Sequence, residues 1–487
     1  MLHIKDTIKY EQIKSISLKD KLSLKSLFNL FNIASLCKKN GMLKHKGYAV
    51  SELLELLFLF PFMSIVSVHS FYVSRFNEFL KAQKDTLFRL KNNEYFNWRN
   101  LNYLFAKRYK KLSERNADQQ SDTAKCLILD DTVIPKVGMQ IESIGKVFDH
   151  VIQRSVLGFK LLLLTFWDGN SLIPLDFSCH CERGKNKKYP FGLLKRHLKK
   201  RFTKQRDKSS AGYKRSKELY IDKISNAIAL LKRAVKHGFI PEYVLTDSWF
   251  SVEKVIKSVR QLKKGIIHFL GMVKMDKRHY NYRGQQLNAK ELQKLLKPMM
   301  KRAKHLRLYY IEAIVSYSDI GEVKLFLTRF SKRSKWRLIL TTDLDLSFHQ
   351  AIKIYNTRWT IEVLFKECKQ LLNLGKCQSN DFDAQIADAT ISLITYMMLS
   401  FHKKIHCYTT LGSLFAQYKE QFVEATVFDK LWNLFVSIQL KIADILELDF
   451  AQLMRVIFQT PKLKETLTSL SKIFFEDDFF LQLNNVT

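Results

Sequence analysis

One short segment concentrates side chains that suit phosphate chemistry. The sequence YNTRWTIEVLFKECK at 355–369 contains Tyr355, Arg358, Glu362 and Lys369. On one α-helix, which turns about 100° per residue, offsets of 3, 7 and 14 positions place these four side chains within roughly 60° of one another. An apolar stripe lies about 90° away and contains Ile361, Leu364, Phe365, Cys368 and Leu372. A solvated face with ion pairs is the ordinary interpretation of such a helix, so the rest of the chain must decide.

Further carboxylates follow two apolar runs upstream. AKCLILDD ends in Asp130 and Asp131, and EYVLTDSWFS runs into Asp247. Strand ends of an open α/β sheet are the usual location of a functional site, so we expect these acids to meet Glu362 there. Hard divalent ions such as Mg²⁺ prefer carboxylate oxygens, and two ions about 4 Å apart activate a nucleophile and stabilise the leaving oxygen of a phosphodiester. The acids therefore predict metal-dependent phosphodiester chemistry.

The net charge indicates the kind of partner. The 487 residues include 81 Lys and Arg against 46 Asp and Glu, a formal charge of +35. Such an excess costs self-repulsion and is typical of proteins that bind nucleic acid or an anionic membrane. The candidate membrane segment, LLFLFPFMSIVSV at 56–68, is broken by Pro61 and falls short of the length of about 20 residues that a span needs. Seven scattered cysteines do not make a disulfide framework, so we predict a cytoplasmic protein with no membrane anchor.

The order of elements predicts an α/β region between helical flanks. Residues 1–118 have helical periodicity, and short strands begin at 124. A helix over 220–239 leads into the strand before Asp247, which is the strand–helix–strand order of an α/β sheet. A β-rich stretch follows at about 265–345, and helical patterns resume after it.

A basic segment interrupts this region. Residues 183–217 contain fifteen Lys and Arg and one acid, Asp207. We expect a mobile loop, or a short basic helix, that lies against a polyanion.

The combined pattern resembles a known family. Four residues, Tyr355-x2-Arg358-x3-Glu362-x6-Lys369, match the Y-x2-R-x3-E-x6-K signature of bacterial insertion-sequence transposases of the IS-four family. LDDT at 129–132 resembles the family's first-aspartate motif, and TDSWFS at 246–251 resembles its second. The first motif usually reads Asp-x-Thr, which favours Asp130 because Thr132 is two residues on; Asp131 remains an alternative.

The resemblance implies a fold. Such enzymes have an RNase H-like catalytic core with a DDE triad and a β-rich insertion between the second Asp and the Glu. The implied organisation is an α/β fold in three regions. Residues 1–118 form a helical DNA-binding region, residues 119–405 the catalytic domain with its insertion at about 265–345, and residues 406–487 a helical C-terminal region.

The resemblance also implies site residues. Asp130, Asp247 and Glu362 are implied as catalytic residues and as ligands of two Mg²⁺ ions, which Mn²⁺ can replace. Four DNA contacts are implied, namely Tyr355, Arg358 and Lys369 on phosphates of the transposon end and Trp336 on an extruded base. Trp336 is carried over by its position in the insertion, and a core tryptophan is the alternative.

The implied activity is that of a DNA transposase. It cleaves the transposon ends and joins them to target DNA by two-metal phosphodiester hydrolysis and transesterification. Terminal inverted repeats and target DNA are the implied partners, with a homodimer on the DNA ends, in the bacterial cytoplasm at the nucleoid. Two alternatives stay open: a catalytically inactive, transposase-derived DNA-binding protein, and another RNase H-like nuclease. The intact acid triad argues against the first, and the β-rich insertion with Lys369 argues against the second.

Overall fold

The computed structural model describes residues 23–44, 46–74, 76–77, 80, 82–115, 123–331, 333–405, 410–462 and 465. The chain divides into two compact units, Phe31–Leu411 and a smaller unit from Met1–Leu30 with Gly412–Thr487. The larger unit contains every candidate site residue. The predicted region boundaries after residues 118 and 405 fall at 116–122 and 406–409, outside the described residues, and they stay predictions, as do helices at 1–22 and 466–487.

Helices precede the sheet. They are α1 (Ser23–Phe31), α2 (Ile33–Lys39), α3 (Val50–Leu59), α4 (Val68–Tyr72), α5 (Asp85–Lys91) and α6 (Trp98–Arg115). The apolar segment 56–68 is the end of α3 and the turn after it. The helix ends just before Phe60 and Pro61, because proline cannot donate the backbone hydrogen bond that a helix interior requires. Leu57 and Phe58 are buried, so this segment is part of the protein core.

The described strands form one mixed sheet. They are β1 (Cys126–Pro135), β2 (Gly145–Asp149), β3 (Arg154–Trp167), β4 (Leu172–His180), β5 (Tyr243–Thr246), β6 (His268–Val273), β7 (His279–Tyr282), β8 (Gln285–Asn288), β9 (Lys301–Ala303), β10 (Leu308–Tyr317), β11 (Gly321–Arg329) and β12 (Arg337–Thr341). The order is β2-β3-β1-β5-β6-β12-β11-β10-β7-β8, with β4 on β3 and β9 on β10. Buried apolar runs in β1, β3 and β4 explain why these strands lie in the core.

More helices follow the first four strands. They are α7 (Lys195–Lys199), α8 (Ala211–Glu218), α9 (Lys223–Lys236), α10 (Glu253–Gln261), α11 (Ala289–Leu295), α12 (Phe348–Asn356), α13 (Trp359–Leu371), α14 (Phe382–Ile405), α15 (Leu411–Ile445) and α16 (Phe450–Gln459). Among the described residues, only α14 has the length and hydropathy of a membrane span, and 94% of its most apolar window is buried, as in a core helix. In the smaller unit, Val436 and Ala443 of α15 pack with Phe450 and Ile457 of α16.

The strand register positions the candidate site. β1 and β5 are parallel with Leu129 opposite Thr246, and β6 lies parallel to β5 on its other side. β12 runs antiparallel to β6, with Leu338 opposite Val273. The carboxyl ends of β5 and β6 and the start of β12 therefore lie side by side, at the same end of their strands.

The predicted insertion at about 265–345 contains β6 to β12. β6 pairs in parallel with β5, so the added strands begin at β7, and β12 returns to the outer edge of β6. The added strands thus continue the same sheet as β1 and β5. A mixed α/β fold with a large mixed sheet and helical flanks confirms the predicted fold class at this level.

Candidate active site

Two of the predicted acids follow paired residues of adjacent parallel strands. The β1–β5 pairing ends with Leu129 opposite Thr246, and Asp130 and Asp247 come next. Leu129 is fully buried, whereas exposure begins at Asp130, so the apolar run ends where the sheet meets solvent. One oxygen of Asp247 accepts the amides of Trp249 and Phe250, in the turn that follows, at 2.9 and 3.2 Å. The sheet therefore holds both carboxylates on adjacent strands. Asp247 follows the end of β5, as predicted, whereas β1 continues to Pro135, so the strand end predicted at Asp130 and Asp131 is wrong.

The neighbourhood of Asp130 disfavours its charge. Burial, and next the negative charge of Asp247, raise the pKa of Asp130 to about 7, although the Arg358 guanidinium opposes this rise. The Asp130 side chain is 16% exposed. A second cation at this position would favour the charged form of the carboxylate.

Arg358 joins the first and third acids. Its Nη1 donates to Asp130 Oδ2 at 2.9 Å, and its Nη2 donates to Glu362 Oε1 at 2.6 Å. The guanidinium thus bridges Asp130 and Glu362. Nowhere in the described parts of the chain do three Asp, Glu, His or Cys side chains approach closely enough to hold a metal ion by themselves. Arg358, which was predicted to bind a phosphate, therefore pairs here with the carboxylates of Asp130 and Glu362.

The segment 355–369 is not one continuous helix, so that prediction is wrong. α12 ends at Asn356 and α13 begins at Trp359. At the junction, the Arg358 amide donates to Tyr355 O at 3.0 Å, three residues back, so a tighter turn replaces the α-helical pattern. Arg358 and Glu362 still lie one turn apart, as the spacing predicted.

Tyr355 and Lys369 contact the two strands that carry the aspartates. The Tyr355 hydroxyl donates to Thr246 O at 3.4 Å, and burial raises the pKa of Tyr355. Lys369 Nζ donates to Thr132 Oγ1 at 2.6 Å, and burial lowers the pKa of Lys369. Because Thr132 is two residues beyond Asp130, both lie on the same face of β1. α13 and the turn before it therefore contact β1 at two points, through Arg358 and Lys369.

Asp131 lies on the opposite face of β1 and has a different partner. Its carboxylate forms an ion pair with Lys223, the first residue of α9. Lys223 Nζ also lies 3.7 Å from the ring centroid of Trp249, in the turn after Asp247. Sequence reasoning missed Lys223 and Trp249. The TDSWFS motif pointed to the position of Trp249, whereas nothing in the sequence links Lys223 to an acid 92 residues earlier.

Trp336 immediately precedes β12, and it lies at the end of the strands where β5 also finishes. The side chain is half-buried, and Arg329 Cζ lies 4.4 Å from its ring centroid. Trp336 therefore does not occupy a fully buried core position.

The basic segment 183–217 is more ordered than predicted. It contains α7 and α8, and four of its cations bind oxygens inside the fold, namely Arg201, Lys204, Arg206 and Arg215. Arg206, 3% exposed, holds both oxygens of Glu142 at 2.6 and 2.7 Å and also pairs with Asp383. Of the two expectations for this segment, the structure has the short basic helix and not the loop at 195–199 and 211–218, whereas contact with a polyanion stays a prediction. The sequence concealed this because the partners lie far away along the chain.

Part of the chain is similar to a known protein family. Residues 222–398 match the family model of the transposase DDE domain. The range includes Asp247 and Glu362 and begins after Asp130. The chain has no match among curated proteins. The match supports a DDE transposase, a class that acts on DNA.

Proposed function

We propose that the protein is a metal-dependent DNA transposase of the insertion-sequence, IS-four type. In this proposal it cleaves transposon ends and joins them to target DNA by phosphodiester hydrolysis and transesterification. The observation that carries the proposal is the placement of Asp130 and Asp247 on adjacent parallel strands, directly after the paired residues Leu129 and Thr246. Arg358 joins Glu362 to Asp130, and residues 222–398 match the DDE domain. The strands β4, β3 and β1, with β5 and β6 parallel to β1, are proposed as an RNase H-like core.

The chemistry of the donor set fits a divalent metal. Asp130, Asp247 and Glu362 offer hard carboxylate oxygens of the kind that Mg²⁺ or Mn²⁺ binds. The raised pKa of Asp130, caused by burial and by Asp247, supports this, because a divalent cation would offset the repulsion between the two carboxylates. Two such ions, when bound, supply activation of a water or hydroxyl nucleophile and stabilisation of the leaving oxygen. For Glu362 to join the other acids, Arg358 has to leave its position between them.

The chain's own cations then act on DNA. Arg358, released from the carboxylates, is proposed to bind a phosphate of the transposon end, since a guanidinium fits phosphate in the same bidentate manner as carboxylate. Lys369 and Tyr355 are proposed to contact neighbouring phosphates. The DNA partners are terminal inverted repeats and target DNA, bound by a homodimer at the nucleoid in the cytoplasm. The charge of +35 supports a polyanionic partner.

Cleavage of a labelled candidate transposon end in Mg²⁺ tests the proposal. Asp247→Asn and Glu362→Gln should abolish nicking while leaving end binding nearly unchanged, because each removes a metal ligand and leaves the basic surface intact. Asp319→Asn is the matched control, since this exposed carboxylate pairs only with Lys257. A Glu362→Gln protein that nicks at more than a few per cent of the wild-type rate contradicts the assignment.

One observation favours the inactive DNA-binding alternative. Within the described residues no three acids meet without an intervening cation, since Arg358 lies between Asp130 and Glu362. The same assay separates the two functions. A wild-type protein that binds the end tightly and never nicks it, in Mg²⁺ or Mn²⁺, is a DNA-binding protein and not a transposase.

A further inference from the structure

A second group of contacts lies near Asp247, on the opposite face of β1 from Asp130. Lys223 has a side chain that is only 13% exposed, and it pairs with Asp131. A buried ammonium needs a counter-charge, which Asp131 provides. The ammonium also lies against the face of the Trp249 indole, 3.7 Å from its centroid, where the ring's electron density attracts it. Asp131, Lys223 and Trp249 form what we call the brace.

The brace fixes Trp249 relative to a candidate catalytic acid. The Trp249 amide donates to Asp247 Oδ1 at 2.9 Å, so the backbone that carries the indole is tied to that carboxylate. Phe250, which is buried, meets the indole edge-on at a centroid distance of 4.8 Å and an angle of 71°. Lys223 is itself held at the start of α9, where Asp222 caps the helix by accepting the Ser225 amide at 2.8 Å.

Trp249 nevertheless remains 37% exposed. Tryptophan that serves only packing is mostly buried, and an indole held by a cation on one face and a phenylalanine at its edge has little freedom to turn away from solvent. The result is a rigid, accessible aromatic surface two residues from Asp247. In a chain with a charge of +35, the abundant partner with planar apolar faces is nucleic acid.

We propose that Trp249 is a stacking surface for a nucleobase of the DNA strand held at Asp247, and that Asp131 and Lys223 are positioning residues that hold the indole. This inference rests on the proposed function. It also gives Asp131 a role distinct from that of Asp130. The neighbouring acids of LDDT then serve two faces of one strand, one toward the reacting phosphate and one toward the brace.

The test uses 2-aminopurine, a fluorescent base that loses emission when it stacks on an indole. It is placed in turn at each of the last positions of a candidate end, and the full chain carries Glu362→Gln so that the DNA is not cut. One position should be quenched on binding. Trp249→Ala should remove that quenching and weaken binding by about 5- to 150-fold, the equivalent of about 1–3 kcal/mol for one stacked base. Trp249→Phe should retain most of both.

Four further variants test the brace. Lys223→Met and Asp131→Asn should each reduce the quenching, and the double variant should be no worse than Lys223→Met alone because both act through one contact. Lys223→Arg should restore the quenching, which a merely structural loss would not predict. Tyr189→Ala is the matched control, an exposed aromatic with Lys188 Nζ 5.8 Å from its ring centroid, and should leave the quenched position unchanged.

The outcomes separate this inference from the function on which it rests. If the protein fails to bind any candidate end, the proposed function fails and the inference with it. If the end binds and no position's quenching depends on Trp249, only the inference is overturned. Should Trp249→Ala not fold, as melting would reveal, the comparison passes to Trp249→Phe and Lys223→Met. Quenching identical to wild type in Lys223→Met overturns the positioning role.

Discussion

Asp130 and Asp176 are both largely buried aspartates beside arginine, and their titration is shifted in opposite directions. Burial raises the pKa of Asp176, but Arg99, Arg233 and Arg215 outweigh burial and leave it lowered. Asp130 has one arginine and a neighbouring aspartate, and its pKa rises to about 7. The sign of the surrounding charge therefore distinguishes the two clusters. An excess of cations stabilises the fold, whereas an excess of anions marks a place for an added cation.

The Asp176 cluster joins separate elements. Asp176 lies on β4, and it binds Arg99 of α6 at 2.7 Å and Arg233 of α9 at 2.8 Å. Glu218, at the end of α8, binds the same Arg99 at 2.6 Å. These contacts attach an N-terminal helix to the sheet through ion pairs that solvent scarcely reaches. Asp130 has a single ion pair of this kind, with Arg358, which connects β1 to the turn before the helix that carries Glu362.

The largest expected effect separates the two aspartates by activity and stability. Asp130→Asn should slow end cleavage by about a thousandfold or more, because the loss of a metal ligand removes several kcal/mol of transition-state stabilisation. Its stability should change little or increase. Asp176→Asn should instead cost about 3–5 kcal/mol, because it leaves buried arginines without their counter-charge. Single-turnover cleavage and denaturant unfolding of both variants measure this.

The contrast between the two aspartates is contradicted if Asp130→Asn and Asp176→Asn change cleavage rate and stability in the same way. Equal losses of stability would mean that Asp130 is a structural ion-pair partner of Arg358. The conservative Asp176→Glu variant serves as a control for side-chain size at the structural site.

The next effect concerns pH in the presence of a chelator. The native pKa of Asp130, about 7, lies above the value of about 3.9 expected in the unfolded chain, so the native state binds more protons between these values. Stability contributed by Asp130 is therefore present at low pH and lost as pH rises through 7, by at most about 4 kcal/mol. Asp176, with a lowered pKa, contributes in the opposite sense and loses stability only as pH falls below the usual aspartate range.

Melting temperatures between pH 5 and pH 8 in EDTA check this sign. Asp130→Asn should remove part of the decline in melting temperature toward pH 8. If the melting temperatures of the wild type and of Asp130→Asn changed with pH in the same way over this range, burial of Asp130 beside Asp247 would not make stability depend on pH.

A smaller effect is expected from Arg358. Arg358→Ala should weaken end binding and reduce the salt dependence by about one counterion, because one phosphate contact is lost. It should also tighten Mn²⁺ binding without DNA, since the guanidinium no longer competes for Asp130 and Glu362. Lys369→Ala should share the change in salt dependence but not the gain in Mn²⁺ affinity. If the salt dependence of end binding is unchanged in both variants, Arg358 and Lys369 only form contacts within the protein and do not bind phosphates.

The smallest effect is expected from Trp336. Because its ring is half-buried and lies against Arg329, Trp336→Ala should lower the melting temperature only modestly. If the indole stacks on an extruded base, a contribution of about 1–3 kcal/mol, cleavage should slow at the step that needs that base. Cleavage of an end with the base removed should then partly rescue the variant. A sharp drop in melting, or no rescue at all, leaves Trp336 as a packing residue.

Local patterns predicted what depends on near neighbours. The apolar run before Asp247 indicated a strand end, and the Arg358–Glu362 spacing indicated side chains one helical turn apart. The end predicted at Asp130 was wrong, because antiparallel pairing with β3 carries β1 on to Pro135. The partner of Asp131 was not predictable, because Lys223 is brought to it only by packing of α9. The break between α12 and α13 also escaped the periodicity, since Thr357 and Arg358 keep helical backbone angles while their amides shift to nearer acceptors.

The basic segment 183–217 also shows that contacts between residues far apart in sequence could not be predicted. Its charge count suggested a polyanion outside the protein, but Arg206 is satisfied by Glu142 and Asp383 within it. Composition reports the total charge of a segment and not how much of it is already neutralised. Ion pairs between residues far apart in sequence become visible only after the chain has folded.

The return of β12 to β6 has a consequence for any attempt to trim the molecule. β6 is hydrogen-bonded on one side to β5 and on the other to β12. Excision of the strands from β7 to β12 would turn β6 into an open sheet edge, because the backbone groups of β6 that pair with β12 would lose their partners. Bare edges of this kind recruit other strands and lead to aggregation. The added strands therefore protect the sheet from self-association, whatever else they contribute.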